Sequence, residues 1–128
     1  MKFNGSILLV DDEAHIRKFV GLILRQLGAT QVTEASNGAE ALFAFERDRP
    51  DVVLLDVNMP IMDGLETLQK LKAIDPDCVV IMLTSLTNRH TIESALAAGA
   101  ANYLRKDTPK EEIAKALEET IEECFETD

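Results

Sequence analysis

The stretch Asp51-Val-Val-Leu-Leu-Asp56-Val-Asn-Met-Pro60-Ile-Met-Asp-Gly64 joins a short apolar run to a loop that begins at an acid and contains Pro60 and an Asp63-Gly64 pair. Val52 to Leu55 is continuously apolar, which predicts a central strand covered on both faces, as in a parallel sheet. The run stops at Asp56, and Pro60 with the Asp63-Gly64 pair ends the strand and turns the chain towards the next helix. Asp56 is therefore predicted at the carboxyl rim of the sheet, where open α/β folds bind ligands.

The same alternation of apolar strand and amphipathic helix runs through the whole chain. Four further strands are predicted, at residues 6–10, 31–35, 79–83 and 102–105. A segment with apolar residues at helical spacing follows each strand. Five strand–helix repeats predict an α/β fold: a doubly wound, five-stranded parallel sheet of order 2-1-3-4-5, flanked by five helices.

Helix signals set the expected ends and inner faces of these helices. Asn37 is predicted to cap the second helix, with Glu40 three residues on as in a capping box. Thr108 is predicted to cap the last helix. Leu96 on the fourth helix and Cys124 on the last are expected to face inward.

Length, charge and cysteine content limit the possible functions. A chain of 128 residues predicts one domain over residues 1–128. A net charge of −10 argues against direct binding to nucleic acid or to an anionic membrane. Cys78 and Cys124 form no CxxC pair, which favours reduced thiols that serve in packing. Without a signal peptide or a run of bilayer length, the expected location is cytoplasmic.

Polar residues recur at the predicted carboxyl ends of the strands. Asp11 and Asp12 follow the first strand, Asp56 the third, Thr84 the fourth and Lys106 the fifth. The first and third strands are neighbours in a sheet of order 2-1-3-4-5, so three carboxylates should meet in one cleft. Two like charges about 4 Å apart repel by roughly 4 kcal/mol at an effective dielectric of 20. The cluster therefore requires a cation or a raised pKa, and Mg²⁺ suits an all-oxygen ligand set.

These side chains also suit covalent phosphate chemistry. The Asp56 carboxylate is a candidate nucleophile that would form an aspartyl phosphate. Lys106 and a bound metal would neutralise the phosphoryl oxygens, and the Thr84 hydroxyl would donate to the same group.

With these residues placed, the chain resembles a response-regulator receiver domain of the CheY-like family over essentially its whole length. The resemblance lies in four motifs: Leu-Leu-Val-Asp11-Asp12-Glu13, Leu-Leu-Asp56-Val-Asn58-Met59-Pro60-Ile-Met-Asp63-Gly64, Met-Leu-Thr84-Ser85 and Tyr103-Leu-Arg-Lys106. It implies a phosphorylation-activated switch of a two-component phosphorelay, which is not a turnover enzyme on external substrates.

The resemblance also implies roles for single residues. Asp56 would be the phosphoacceptor, with Mg²⁺, or alternatively Mn²⁺, held by Asp11, Asp12, Asp56 and the main-chain carbonyl of Asn58. Thr84 and Lys106 would bind the phosphoryl oxygens. Tyr103 falls where the family keeps an aromatic residue coupled to phosphorylation; the alternative is a tyrosine that only packs against the fourth helix.

The implied partners are proteins. A histidine kinase or a histidine phosphotransfer protein would supply the phosphoryl group, and an output protein would bind the face made by the fourth helix, fifth strand and fifth helix. The domain would be a monomer or a phosphorylation-dependent dimer. It would act alone, since the last predicted helix extends to the end of the sequence, or it would be a fragment of a larger transcriptional regulator.

Two features depart from the family pattern or vary within it. Asp107 follows Lys106 where many members have a proline, so a trans peptide is expected there. Asn58 and Leu86 lie where members differ in self-dephosphorylation.

Two other classes of protein share parts of the pattern. An aspartyl-phosphate phosphohydrolase needs an acid two residues beyond its nucleophile, where this chain has Asn58. A flavodoxin-like cofactor binder needs phosphate donors in its first loop, where this chain has Asp11, Asp12 and Glu13.

Overall fold

The computed structural model describes residues 5–85 and 88–125, in which five strands alternate with five helices. The strands are β1 Ser6–Val10, β2 Gln31–Ala35, β3 Val52–Leu55, β4 Val79–Thr84 and β5 Asn102–Arg105. The helices are α1 Ala14–Gln26, α2 Gly38–Asp48, α3 Gly64–Ile74, α4 Arg89–Ala97 and α5 Lys110–Phe125. The strands pair in parallel in the order β2-β1-β3-β4-β5, which confirms the predicted fold.

Alternate residues of the central strands face two separate apolar layers. Leu8 and Val10 of β1 point towards a cluster completed by α2, α3 and α4. Ile7 and Leu9 point towards a second cluster completed by α1 and α5. Because side chains alternate across a strand, an uninterrupted apolar sequence serves both layers. The buried strands therefore hold their carboxyl ends at one fixed edge, where the site lies.

The helix ends largely follow the predicted signals. Gly28 has a φ of 107° just beyond α1, a left-handed conformation that glycine adopts without strain. The Asn37 side chain accepts a hydrogen bond of 2.9 Å from the Glu40 N–H, as expected of an N-cap. The Glu40 carboxylate accepts a hydrogen bond from the Ser36 N–H at 2.8 Å. In a standard capping box it would accept from the N–H of the cap residue, Asn37.

Three predictions about helices α4 and α5 are wrong. Leu96 is 47% exposed, because Ala95 rather than Leu96 is the buried residue of α4. Cys124 is exposed, whereas Cys78 is buried as predicted; both are free thiols. The last helix begins at Lys110 and not directly after Thr108, since the Pro109 carbonyl accepts the 3.0 Å bond from the Ile113 N–H.

Among the described residues, no helix combines the length and the apolar character needed to span a bilayer.

Candidate functional site

Three carboxylates meet at the carboxyl edge of β1 and β3. Asp11 directly follows β1 and Asp56 directly follows β3, and these strands are hydrogen-bonded neighbours. The N–H of Asp56 donates to the Val10 carbonyl at 3.0 Å, so pairing with the neighbouring strand continues one residue beyond β3. Oxygen atoms of Asp11, Asp12 and Asp56 lie within 4.8 Å of one another. The structure thus brings these three acids into one pocket.

The Lys106 ammonium lies among these acids. Its Nζ is 2.7 Å from Asp11 Oδ2 and 3.0 Å from Asp56 Oδ2, and the lysine side chain is only 9% exposed. A third contact of 3.3 Å reaches Glu13 Oε1. The Lys106 N–H donates to the Thr84 carbonyl at 3.0 Å, which fixes the start of the β5–α5 loop next to β4. The fifth strand thus delivers a positive charge to the acids of the first and third.

Burial and hydrogen bonding act against each other on the charged groups of this cluster. Asp11 and Asp56 are each 2% exposed. Burial raises the pKa of the Asp11 carboxyl and outweighs the hydrogen bonds from Lys106 and from the Glu13 N–H. Burial also opposes the charge on Lys106, but its hydrogen bonds to Asp11 and Asp56 prevail and raise the pKa of this ammonium. The site therefore holds excess negative charge that one lysine only partly neutralises.

Thr84 and Tyr103 lie on the two strands beyond β3. Thr84 ends β4 and is completely buried. Tyr103 pairs with Met82 across β4 and β5 and is half-buried against the cluster that includes Ala95 of α4. Burial, followed by the negative charge of Asp56, raises the pKa of the Tyr103 hydroxyl.

The loop between β3 and α3 wraps closely around Asp56. The Asn58 N–H donates to Asp56 Oδ1 at 3.3 Å, and Asn58 itself is exposed. The Gly64 N–H donates to the Val57 carbonyl at 2.7 Å. A Cβ on Gly64 would lie 2.6 Å from Val57 Cα and would overlap the Asp56 carbonyl. The close approach requires glycine at this position, which sequence reasoning treated only as a turn.

Two contacts of the site were not predicted from the sequence. Glu13 contacts Lys106. Because Glu13 directly follows Asp12 in the sequence, this acid could have been predicted as part of the site. Arg17 donates from Nη1 to the Asp11 main-chain carbonyl at 2.6 Å. Helical side chains tilt towards the N-terminus of their helix, so an arginine in the first turn of α1 reaches back to this edge.

The β5–α5 loop keeps an ordinary backbone despite its departure from the family pattern. The Lys106–Asp107 peptide is trans, as expected, since the described residues include no cis peptide bond. Asp107 accepts two hydrogen bonds from the Arg105 guanidinium, at 3.0 Å from Nε and 2.7 Å from Nη2. Leu86, at the other position of interest, lies outside the described residues.

The donor set matches a hard cation rather than an anion. Carboxylate oxygens are the ligands that Mg²⁺ and Mn²⁺ prefer, so Asp11, Asp12 and Asp56 fit such an ion. The Glu13 N–H, which a phosphate-binding loop would direct at its ligand, donates instead to Asp11 Oδ1 at 2.9 Å. This arrangement disfavours a flavodoxin-like phosphate cradle in the β1–α1 loop.

Comparison with known proteins gives one consistent family. A family model described as the response regulator receiver domain matches residues 7–118. The chain is 34% identical over 115 residues to the chemotaxis protein CheY of Bacillus subtilis strain 168, covering 90% of this chain and 96% of that protein. It is 35% identical over 118 residues to the sporulation initiation phosphotransferase F of the same strain, covering 92% and 94%.

Solved structures agree with the sequence relatives. A complex of CheX and CheY from Borrelia burgdorferi with BeF3 and Mg²⁺ matches with a TM-score of 0.85 at 27% identity, covering 95% of this chain and 90% of that one. The order of the strands, the acids at the edge of β1 and β3, and these relatives lead to the same conclusion. This chain belongs to the family of response regulator receiver domains.

Proposed function

We propose that this domain is a phosphorylation-activated switch in which Asp56 accepts a phosphoryl group. The observation that supports this most directly is the cluster of charged side chains at the carboxyl edge of β1 and β3. It places the Asp56 carboxylate 3.0 Å from the Lys106 ammonium and beside Asp11 and Asp12. A carboxylate, a nearby ammonium and a candidate metal site are the parts that transfer of phosphate to an aspartate needs.

The proposed reaction is an in-line displacement at phosphorus. An oxygen of Asp56 forms a bond to the phosphorus, and the bond from phosphorus to the donor breaks, with its electron pair leaving on the donor atom. In the free protein the Lys106 ammonium would pair with the Asp56 carboxylate, and after transfer it would pair with a phosphoryl oxygen. Thr84, at the end of the adjacent strand, is assigned a hydrogen bond to another phosphoryl oxygen.

The proposed cation would be held by Asp11, Asp12 and Asp56, with the Asn58 main-chain carbonyl as a further ligand. When bound, Mg²⁺ or Mn²⁺ would neutralise charge on the transferring phosphoryl group. The resting contacts of Lys106 with Asp11 and Asp56 show that these two acids already attract a positive charge to this place.

The proposed output passes from Thr84 to Tyr103. Thr84 ends β4 and Tyr103 lies in β5, where the tyrosine packs against the apolar cluster that includes Ala95 of α4. A change in charge at Asp56 would shift the equilibrium between two arrangements of this region and alter the face formed by α4, β5 and α5.

The proposed partners are a histidine kinase or histidine phosphotransfer protein as donor and an output protein as receiver of the signal. The relatives include a phosphotransferase and a CheY bound to CheX, which supports partners of protein nature. We further propose a single domain over residues 1–128, a cytoplasmic location, no direct binding to nucleic acid or membrane, and a monomer or a phosphorylation-dependent dimer.

Incubation with acetyl phosphate and Mg²⁺, followed by intact-mass measurement, tests this function. We expect one added phosphoryl group per chain, lost when EDTA replaces the cation. A chain that gains no mass would contradict the proposal. A parallel assay with small phosphate esters separates the switch from a phosphohydrolase, because sustained release of phosphate is expected only from the latter.

Cation binding should be visible as a gain in stability. At a Mg²⁺ concentration ten times its dissociation constant, the free energy of unfolding should rise by about 1.4 kcal/mol. Replacement of Asp12 by asparagine should reduce that gain, because Asp12 is the exposed acid of the cluster and its loss removes one ligand. Melting curves with and without Mg²⁺ measure both effects, and an equal gain in Asp12→Asn would remove Asp12 from the ligand set.

A further inference from the structure

Arg17 links the β1–α1 turn to strand β2 beside the acidic pocket. Its Nη1 donates to the main-chain carbonyl of Asp11 at 2.6 Å, and its Nε donates to Glu34 Oε1 at 2.9 Å. The arginine side chain is only 17% exposed. A guanidinium holds several donors in one rigid plane, so these two bonds fix the carbonyl relative to β2.

Arg17 completes a set of bonds that immobilise Asp11. The Asp11 N–H donates to the Ala35 carbonyl at 3.1 Å, on the residue directly after Glu34. Asp11 Oδ1 accepts from the Glu13 N–H at 2.9 Å. With the Arg17 bond to its carbonyl, the main chain of Asp11 is held on both sides, and Asp12 follows directly from that carbonyl. Arg17 thus helps to fix the main chain from which the carboxylates of Asp11 and Asp12 extend.

We propose that Arg17 is a positioning residue for the cation site, acting on the main chain of Asp11 and so on the carboxylates of Asp11 and Asp12. This inference rests on the proposed function, since it assumes that these acids bind a divalent cation. Groups that orient metal ligands from outside typically change metal affinity by about 10- to 100-fold when they are removed.

The charge of Arg17 and its positioning role predict opposite changes in cation affinity when Arg17 is replaced. As a positive charge near a cation site, Arg17 would weaken binding by repulsion, so its removal would tighten binding. As the group that fixes the Asp11 carbonyl, it would strengthen binding, so its removal would weaken it. The sign of the change therefore separates the two roles.

Direct Mn²⁺ binding, followed by electron paramagnetic resonance, measures that sign without requiring phosphorylation. Mg²⁺ competition extends the measurement to the second ion. The variants are Arg17→Met and Arg17→Lys, and the matched control is Lys18→Met, which removes the same charge from the exposed neighbouring position of α1. Thermal unfolding of each variant establishes a temperature at which all of them are fully folded, and binding is measured there.

We expect Arg17→Met to bind Mn²⁺ about tenfold more weakly than the wild-type protein. Arg17→Lys, which keeps the charge but not the rigid fork, should also bind more weakly. Lys18→Met should bind at least as tightly as the wild type. If Arg17→Met does not fold, Arg17→Lys decides alone.

Binding to the Arg17 variants as tight as, or tighter than, that of the wild type would overturn the positioning role while leaving the cation site intact. Absence of Mn²⁺ binding to the wild-type protein would instead contradict the proposed cation site, and the inference with it.

Discussion

Replacement of Lys106 by methionine is expected to lower the free energy of unfolding of the cation-free protein by about 3 kcal/mol. The ammonium contacts Asp11 at 2.7 Å and Asp56 at 3.0 Å, and both acids are 2% exposed. Methionine keeps an unbranched apolar stem but leaves these buried carboxylates without a positive partner. Urea unfolding near pH 8 in EDTA measures the loss with the acids ionised.

Divalent cations should restore part of this stability. Because the ammonium and a bound cation would neutralise the same acids, saturating Mg²⁺ should stabilise Lys106→Met more than it stabilises the wild type. Lys115→Met provides the control, since Lys115 is exposed on α5. Equal stability of Lys106→Met and the wild type in EDTA would show that the ammonium contributes nothing to holding these acids together.

Replacement of Gly64 by alanine is expected to destabilise the fold by about 3 kcal/mol, at the upper end of the usual cost of overpacking. The new methyl group would overlap the Asp56 carbonyl and lie 2.6 Å from Val57 Cα. Both contacts are with main-chain atoms, which cannot move aside by a change of rotamer. The start of α3 must therefore shift away from Asp56, which should also slow the proposed phosphorylation.

Gly21 provides the matched control for this substitution. It lies inside α1, and an added Cβ would meet its nearest atom, Arg25 Nη1, at an ordinary 3.5 Å. Gly21→Ala should stabilise the protein by roughly 0.5–1 kcal/mol, because alanine is the better helix residue. Chemical unfolding compares both variants. A loss below about 0.5 kcal/mol for Gly64→Ala would mean that the close approach at Asp56 relaxes easily.

The strands and their polar ends were predictable because their signals are local. β1 at Ser6–Val10 and β5 at Asn102–Arg105 have the predicted bounds. The apolar run of β1 ends where Asp11 meets the rim. The neighbouring positions of β1 and β3 then follow from the strand order, which a repeated strand–helix pattern favours. This is why Asp11 and Asp56 could be assigned to one pocket before their distances were known.

The inner faces of the helices were less predictable. Helical spacing predicted that Leu96 faces inward, but α4 packs through Ala95, whose small side chain permits close contact with its neighbours. Cys124 lies in the last turn of α5, a helix of 16 residues and about 24 Å. The buried residues of α5 end at Ile121, so its last turn, with Cys124, is exposed.

Contacts made through the main chain could not be predicted from the sequence. Arg17 binds a carbonyl, and Gly64 makes room for one, so neither depends on the identity of the side chain at its partner. Such contacts become visible only once the turn after β1 and the loop after β3 are placed in space. The acids and the lysine, by contrast, carry their chemistry in their own side chains.

The most direct test is to locate the phosphoryl group on the chain. Borohydride reduces an acyl phosphate to an alcohol, so treatment of the phosphorylated protein converts the modified aspartate into homoserine, which peptide mass spectrometry can place. We expect homoserine at position 56 in the wild-type protein and none there in Asp56→Asn. Homoserine at position 11 or 12 instead, or phosphorylation of Asp56→Asn to the wild-type extent, would contradict the assignment of Asp56 as the acceptor.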